Sequence, residues 1–107
     1  MSDKSILDEC TLEDLGRAGL QMYQLKDGFR FGLDSVLLSW FAASFVRNSN
    51  ASTNSSKVTA KTTRVLELGA GCGACTLLMH GRKPSVKIDS VELMSTSALV
   101  LEENIRL

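Results

Sequence analysis

Apolar and polar side chains alternate along Gly19-Leu20-Gln21-Met22-Tyr23-Gln24-Leu25, the period of a strand. Lys26-Asp27-Gly28 then reads as a turn, because Asp-Gly supplies the positive φ that a tight hairpin needs. Phe29-Arg30-Phe31 is predicted to return as the second strand, with Gly32 ending it. Residues 33–46 are the most apolar stretch, long enough for a helix of about four turns. It is apolar almost all round, so heavy burial is expected, and Asp34 or Ser35 suits its N-cap or first turn. Residues 64–68 form a short apolar strand ending beside Glu67, and residues 74–80 a helix. Gly81 is placed as its C′ residue, with Pro84 beyond as a stop. Residues 86–93 give a second strand. A last helix, capped by Ser95 or Thr96, runs to about Asn104 and carries Ala98, Leu99, Leu101 and Ile105 at helical spacing. Strand, helix, strand, helix from residue 64 is a βαβ unit plus a helix, which builds a parallel sheet and places the chain in the α/β class.

The remaining segments carry no periodicity. Residues 1–18, with Asp3, Asp8, Glu9, Glu13 and Asp14, read as a flexible acidic arm with a short helical turn near residues 12–15. Residues 48–63 are mostly Ser, Thr and Asn and read as a polar surface loop. The chain thus divides into an arm (1–18), a hairpin with a buried helix (19–47), a polar loop (48–63) and a βαβα segment (64–107). At 107 residues it holds one small domain. Twelve basic against twelve acidic side chains leave no basic footprint for nucleic acid. No apolar run approaches the ~20 residues of a membrane span. The N-terminus lacks a signal-peptide pattern, so a cytoplasmic location is expected. Cys10, Cys72 and Cys75 are odd in number and expected as free thiols. Cys72 and Cys75, even with His80 nearby, fall short of a four-ligand zinc set, and no metal is expected. The two cysteines read as small residues packed at a turn, and His80 as a surface residue near a helix end.

The chemistry concentrates in Glu67-Leu68-Gly69-Ala70-Gly71-Cys72-Gly73. A strand running into a glycine loop and a helix N-terminus suits a nucleotide-type cofactor. Gly69-x-Gly71-x-x-Ala74 fits a dinucleotide fingerprint, with Glu92 about 20 residues on as the ribose acid. The same stretch completes acid-x-Gly-x-Gly-x-Gly, the pattern of an S-adenosylmethionine site. Glu67 separates the two readings. Its carboxylate would repel a pyrophosphate at short range, whereas it favours the ammonium and sulfonium of S-adenosylmethionine. Glu92 serves either ligand, because a carboxylate can accept from both ribose hydroxyls.

With Ile88-Asp89-Ser90-Val91-Glu92-Leu93 and Glu102-Glu103-Asn104-Ile105, this motif resembles the class I S-adenosylmethionine-dependent methyltransferases, a Rossmann-like fold. Upstream, Asp27-Gly28-Phe29-Arg30-Phe31-Gly32-Leu33-Asp34-Ser35-Val36-Leu37-Leu38 is similar to the bacterial tRNA adenine-N6 methyltransferases that modify valine tRNA. Their relatives include the methyltransferase small domain proteins and the release-factor glutamine methyltransferases. The resemblance covers residues 19–47 and 64–107. It implies S-adenosylmethionine as cofactor and tRNA as substrate. It also implies Glu67 near the methionine amino group, Gly69, Ala70, Gly71 and Gly73 in the cofactor loop, and Glu92 on the ribose. Leu93 would pack on the adenine, and the turn at Asp34 would lie against the methionine end.

The family continues with an Asn-Pro-Pro-aromatic motif that receives the target amine. This chain has none, and Pro84 is its only proline. No catalytic residue is assigned. The chain is expected to be the N-terminal part of such an enzyme, carrying two of seven strands and inactive alone, with a marginal, open core prone to self-association. Other enzymatic readings are the same fold methylating a glutamine side chain or another RNA base, and a nucleotide dehydrogenase. The non-enzymatic alternative is a degenerate methyltransferase-like module that binds a partner through its apolar helix.

Overall fold

The computed structural model describes residues 6–28, 30–46 and 63–107. The predicted polar loop, apart from Thr63, and the first five residues of the predicted arm lie outside them. In the described residues a 3-10 turn, Leu7–Glu9, leads into β1 (Cys10–Asp14) and β2 (Gln21–Leu25). Then come α1 (Leu33–Ala43), β3 (Arg64–Leu68), α2 (Ala74–Arg82), β4 (Lys87–Val91) and α3 (Ser95–Arg106). The described residues make a small α/β unit with two separate two-stranded sheets.

The first sheet corrects the predicted hairpin. β2 pairs antiparallel with β1, Cys10 opposite Leu25 and Asp14 opposite Gln21, and residues 30–31 form no strand; Phe29 of the predicted return strand lies outside the described residues. The segment read as an acidic arm therefore supplies a strand. The tight connection is Leu15 to Leu20, closed by Leu15 N–H donating to Leu20 O at 2.9 Å. Gly16 and Gly19 take positive φ there, +70° and +69°. Asp14 Oδ1 accepts from Gly16 N at 2.7 Å, a local side-chain bond that competes with ladder continuation. Residues 30–31 are tied back to the hairpin by side chains instead. Arg30 donates to Leu25 O and pairs with Glu13 at 2.6 Å, and Phe31 N donates to buried Gln24 Oε1 at 2.9 Å.

The second sheet is the parallel pair β3–β4, with α2 as its crossover, consistent with a Rossmann-like unit. Val65, Glu67, Ile88 and Ser90 point to one face and are partly buried; Leu66, Leu68 and Val91 point to the other and are exposed. Side chains alternate across a strand, so one covering helix buries one set alone. Met79 of α2, Val86, Ala43 and Val46 form a core cluster with Val65 and Ile88 against it. Met22, Ala74 and Leu77 form a second, joining the hairpin to α2.

The helices differ from expectation in the end of α2 and the burial of α1. α2 runs through Gly81 to Arg82 rather than stopping at Gly81, where an added Cβ would lie 2.7 Å from Leu20 Cδ1. α1 is not heavily buried. Ser39 and Ala43 are buried against α2, while Leu33, Leu37, Leu38, Trp40, Phe41 and Phe45 are all more than half exposed. The small residues face α2; of the large ones, Phe41 and Phe45 pack edge to face on each other with ring centroids 5.0 Å apart, and all stay more than half exposed. Gly32 occupies the N-cap with no side-chain cap bond, and Asp34 and Ser35 stand in the first turn, one of the two places expected for them.

Candidate functional site

The glycine loop that follows β3 places Gly69, Gly71 and Gly73 at φ +69°, +61° and +104°. L side chains rarely adopt such angles, so the loop depends on glycine to leave the strand and enter α2. Gly73 has a second constraint: an added Cβ would stand 2.6 Å from Leu101 Cδ1, so its bareness lets α3 close on the loop.

Asn104, buried on α3, holds this junction. Its Oδ1 accepts from Tyr23 N at 2.6 Å, and its Nδ2 donates to Tyr23 O at 2.9 Å and to Cys72 O at 2.7 Å. One amide thereby joins the hairpin, the last helix and the glycine loop.

A cavity of about 820 Å³ opens over the loop. Of the residues predicted to bind a cofactor, Glu67, Gly69, Ala70, Gly71, Glu92 and Asp34 line it. Gly73 lies beneath, against α3. Leu93 is not in the wall; it is 95 % exposed, between Glu92 and Met94, which are in it. The hairpin side of the wall, with Gln24, Asp27 and Phe31, was not assigned from the sequence as part of a site.

Five carboxylates face this cavity, Glu9, Asp27, Asp34, Glu67 and Glu92, and among the described residues lining it there is no Lys, Arg or His. The carboxylates are spread round the wall; no group of three or more His, Cys, Asp or Glu among the described residues is placed to hold a metal ion.

Glu92 is oriented by backbone amides. Its Oε1 accepts from Gly71 N and its Oε2 from Met94 N, both at 2.8 Å. The bond from Met94 and then that from Gly71 hold its carboxyl below the ordinary value, so it is ionised at neutral pH. Each carboxylate oxygen has a second lone pair, so two further donors can be accepted without disturbing the loop. Other loop amides are also engaged: Ala70 N donates to Val91 O at 3.0 Å and Gly73 N to Ala70 O at 3.1 Å. The amides of Ala70, Gly71 and Gly73 are thus all engaged within the protein.

Glu67 is half-buried. Burial pushes its carboxyl up, opposed by hydroxyls from Thr76 and Ser90. Thr76 Oγ1 donates to Glu67 Oε2 at 2.5 Å and lies 2.7 Å from Ser90 Oγ. Neither hydroxyl was singled out from the sequence. The available signal was a polar side chain on an inward-facing position of an otherwise apolar strand or helix.

The three cysteines are free, and burial pushes each thiol up, which keeps them protonated and poor nucleophiles at neutral pH. Among the described residues no helix is long and apolar enough to cross a membrane. Neither a scan against protein-family models nor a search of curated proteins returns a match.

Proposed function

We propose that the cavity binds S-adenosylmethionine and that the chain is the cofactor-binding part of a methyltransferase of Rossmann-like fold. The observation that carries this reading is the charge of the wall: five carboxylates and no basic side chain among its described lining residues. A ligand with an ammonium and a sulfonium is attracted there, and a pyrophosphate is repelled by the same charges. The internal bonding of the loop amides at Ala70, Gly71 and Gly73 argues the same way, since a dinucleotide would need donors of that kind. Glu92 would hold the ribose hydroxyls, and Glu67 and Asp34 would face the cationic methionine end.

Bound there, the cofactor supplies a methyl group on a sulfonium to a nucleophilic amine. The chain's own residues bind and orient it, which is where positioning and electrostatics act in such transfers. Adenine N6 of tRNA is the acceptor we propose, on the likeness of residues 27–38 and 67–73 to the tRNA adenine methyltransferases. With no Asn-Pro-Pro sequence, the chain by itself is expected to bind cofactor without turning over substrate.

Calorimetric titration with S-adenosylmethionine and, separately, NAD tests the reading. Saturable binding of the first alone is expected, weakened about tenfold or more by Glu92→Ala, the loss of one or more charge-assisted hydrogen bonds. Binding of NAD without S-adenosylmethionine would overturn it in favour of a dehydrogenase-type site.

A further inference from the structure

Two hydroxyls from different elements converge on a single oxygen of Glu67. Thr76 of α2 donates to Oε2 at 2.5 Å, and Ser90 of β4 lies 3.5 Å from the same oxygen and 2.7 Å from the Thr76 hydroxyl. Thr76 is buried and has one proton to give. When that proton goes to the carboxylate, the Ser90 hydroxyl donates to Thr76 Oγ1, so the bonds run in one direction from β4 through α2 to the end of β3. Oε1 carries no hydrogen bond from the described residues, and Glu67 lines the cavity. One carboxylate oxygen is therefore anchored in the sheet–helix seam and the other is left for whatever enters.

We propose that Thr76, backed by Ser90, is a positioning residue for ligand binding: it fixes Glu67 Oε2 so that Oε1 meets the cationic group of the ligand. This deepens the cofactor reading above and rests on it. The chemistry needs the anchor because the surroundings disfavour the charged form. Burial raises the carboxyl of Glu67, and the hydroxyls from Thr76 and Ser90 offset that rise. The ionisable groups from the neighbouring elements do not help. Cys75 of α2 is a protonated thiol that feels both Glu67 and Asp34 of α1, and Glu92 beyond β4 is an anion on the same cavity. No cationic side chain lines the cavity among the described residues. Without Thr76, Glu67 takes up a proton more readily and loses its hold on a cation.

The test compares the wild type with Thr76→Val, Thr76→Ser and Ser90→Ala. The carboxyl carbon of Glu67 is followed by NMR across pH, and S-adenosylmethionine affinity is measured over the same range. In Thr76→Val the Glu67 titration is expected to move to higher pH. Affinity at neutral pH is expected to fall about tenfold, the scale of one hydrogen bond to a charged group. Thr76→Ser should restore both. If Thr76→Val does not fold, Ser90→Ala, which removes only the outer hydroxyl, decides: a smaller shift in the same direction supports the anchor, and none overturns it. An unchanged Glu67 titration in folded Thr76→Val, with wild-type binding intact, overturns the anchor and leaves the cofactor reading standing. Absence of binding by the wild type, with the Glu67 shift present, overturns the cofactor reading and the ligand role of Glu67 together.

Discussion

Glu67 and Glu92 end adjacent strands and face one cavity, yet the fold treats their charges in opposite ways. Burial, only partly offset by Thr76 and Ser90, raises Glu67 above its unfolded value. Between those two values the folded chain binds more protons than the unfolded one, so this group's contribution to stability declines as pH rises through the window. Glu67→Gln is therefore expected to stabilise the chain modestly at neutral pH, seen as a higher urea midpoint, since a half-buried carboxylate is exchanged for a neutral group. The gain should vanish below the ordinary carboxylate range. Urea unfolding at neutral and acid pH checks it, and a loss of stability at neutral pH would contradict the assignment. Glu92 has the reverse sign. Amides of Met94 and Gly71 lower it, so its contribution is present above the ordinary carboxylate range and is lost as pH falls through the lowered value. A carboxylate that the fold disfavours, lining the same cavity as one that it welcomes, agrees with the proposal that Glu67 serves a ligand.

Among the elements, the junction of β2, α3 and the glycine loop depends most on a single side chain. Asn104→Ala would leave Tyr23 N, Tyr23 O and Cys72 O without their partner in a buried place. The expected cost is about 3 kcal/mol, read by urea unfolding, since unpaired buried polar groups are expensive; a change within experimental error would show that water replaces the amide. The elements from residue 64 onward were legible in the sequence because apolar alternation, the glycine loop and Pro84 mark strand, turn and helix in order. The first sheet was not. Cys10-Thr11-Leu12-Glu13-Asp14 hides its alternation among acids, and its Leu12 is exposed even in the sheet. The Asp27-Gly28 signal is a real turn signal but closes no ladder, whereas Gly16 and Gly19, which do shape the connection, stood in a segment read as an arm. Of the cavity wall, the sequence singled out Glu67, the loop and Glu92, because strand ends and glycine spacing are local. It did not locate Thr76, Ser90, Gln24 or Asn104. Their roles arise from contacts across elements, which spacing does not encode.

For the molecule as a whole, burial is one-sided. The β3–β4 face bearing Leu66, Leu68 and Val91 is exposed, as is the α1 face bearing Leu37, Trp40, Phe41 and Phe45. Large exposed apolar side chains gathered on one face are where association is expected. The apolar run of α1 was correctly read as a helix, but its burial was not legible, because hydrophobicity states a preference and only a neighbour fulfils it. The cavity is the other feature that exists only at this scale. Its wall draws on the hairpin, α1, the glycine loop and the end of β4, and its acidity is a sum over segments that are individually unremarkable, in a chain whose basic and acidic residues balance. The central claim, that this acidic cavity takes S-adenosylmethionine, is tested most directly by mapping amide chemical shifts of the wild-type chain during titration with the cofactor at low protein concentration. Shifts concentrated at Gly69, Gly71, Met94 and the first turn of α1 are the required result; shifts confined to the exposed faces of α1 and the β3–β4 sheet, or none at saturating cofactor, would contradict it.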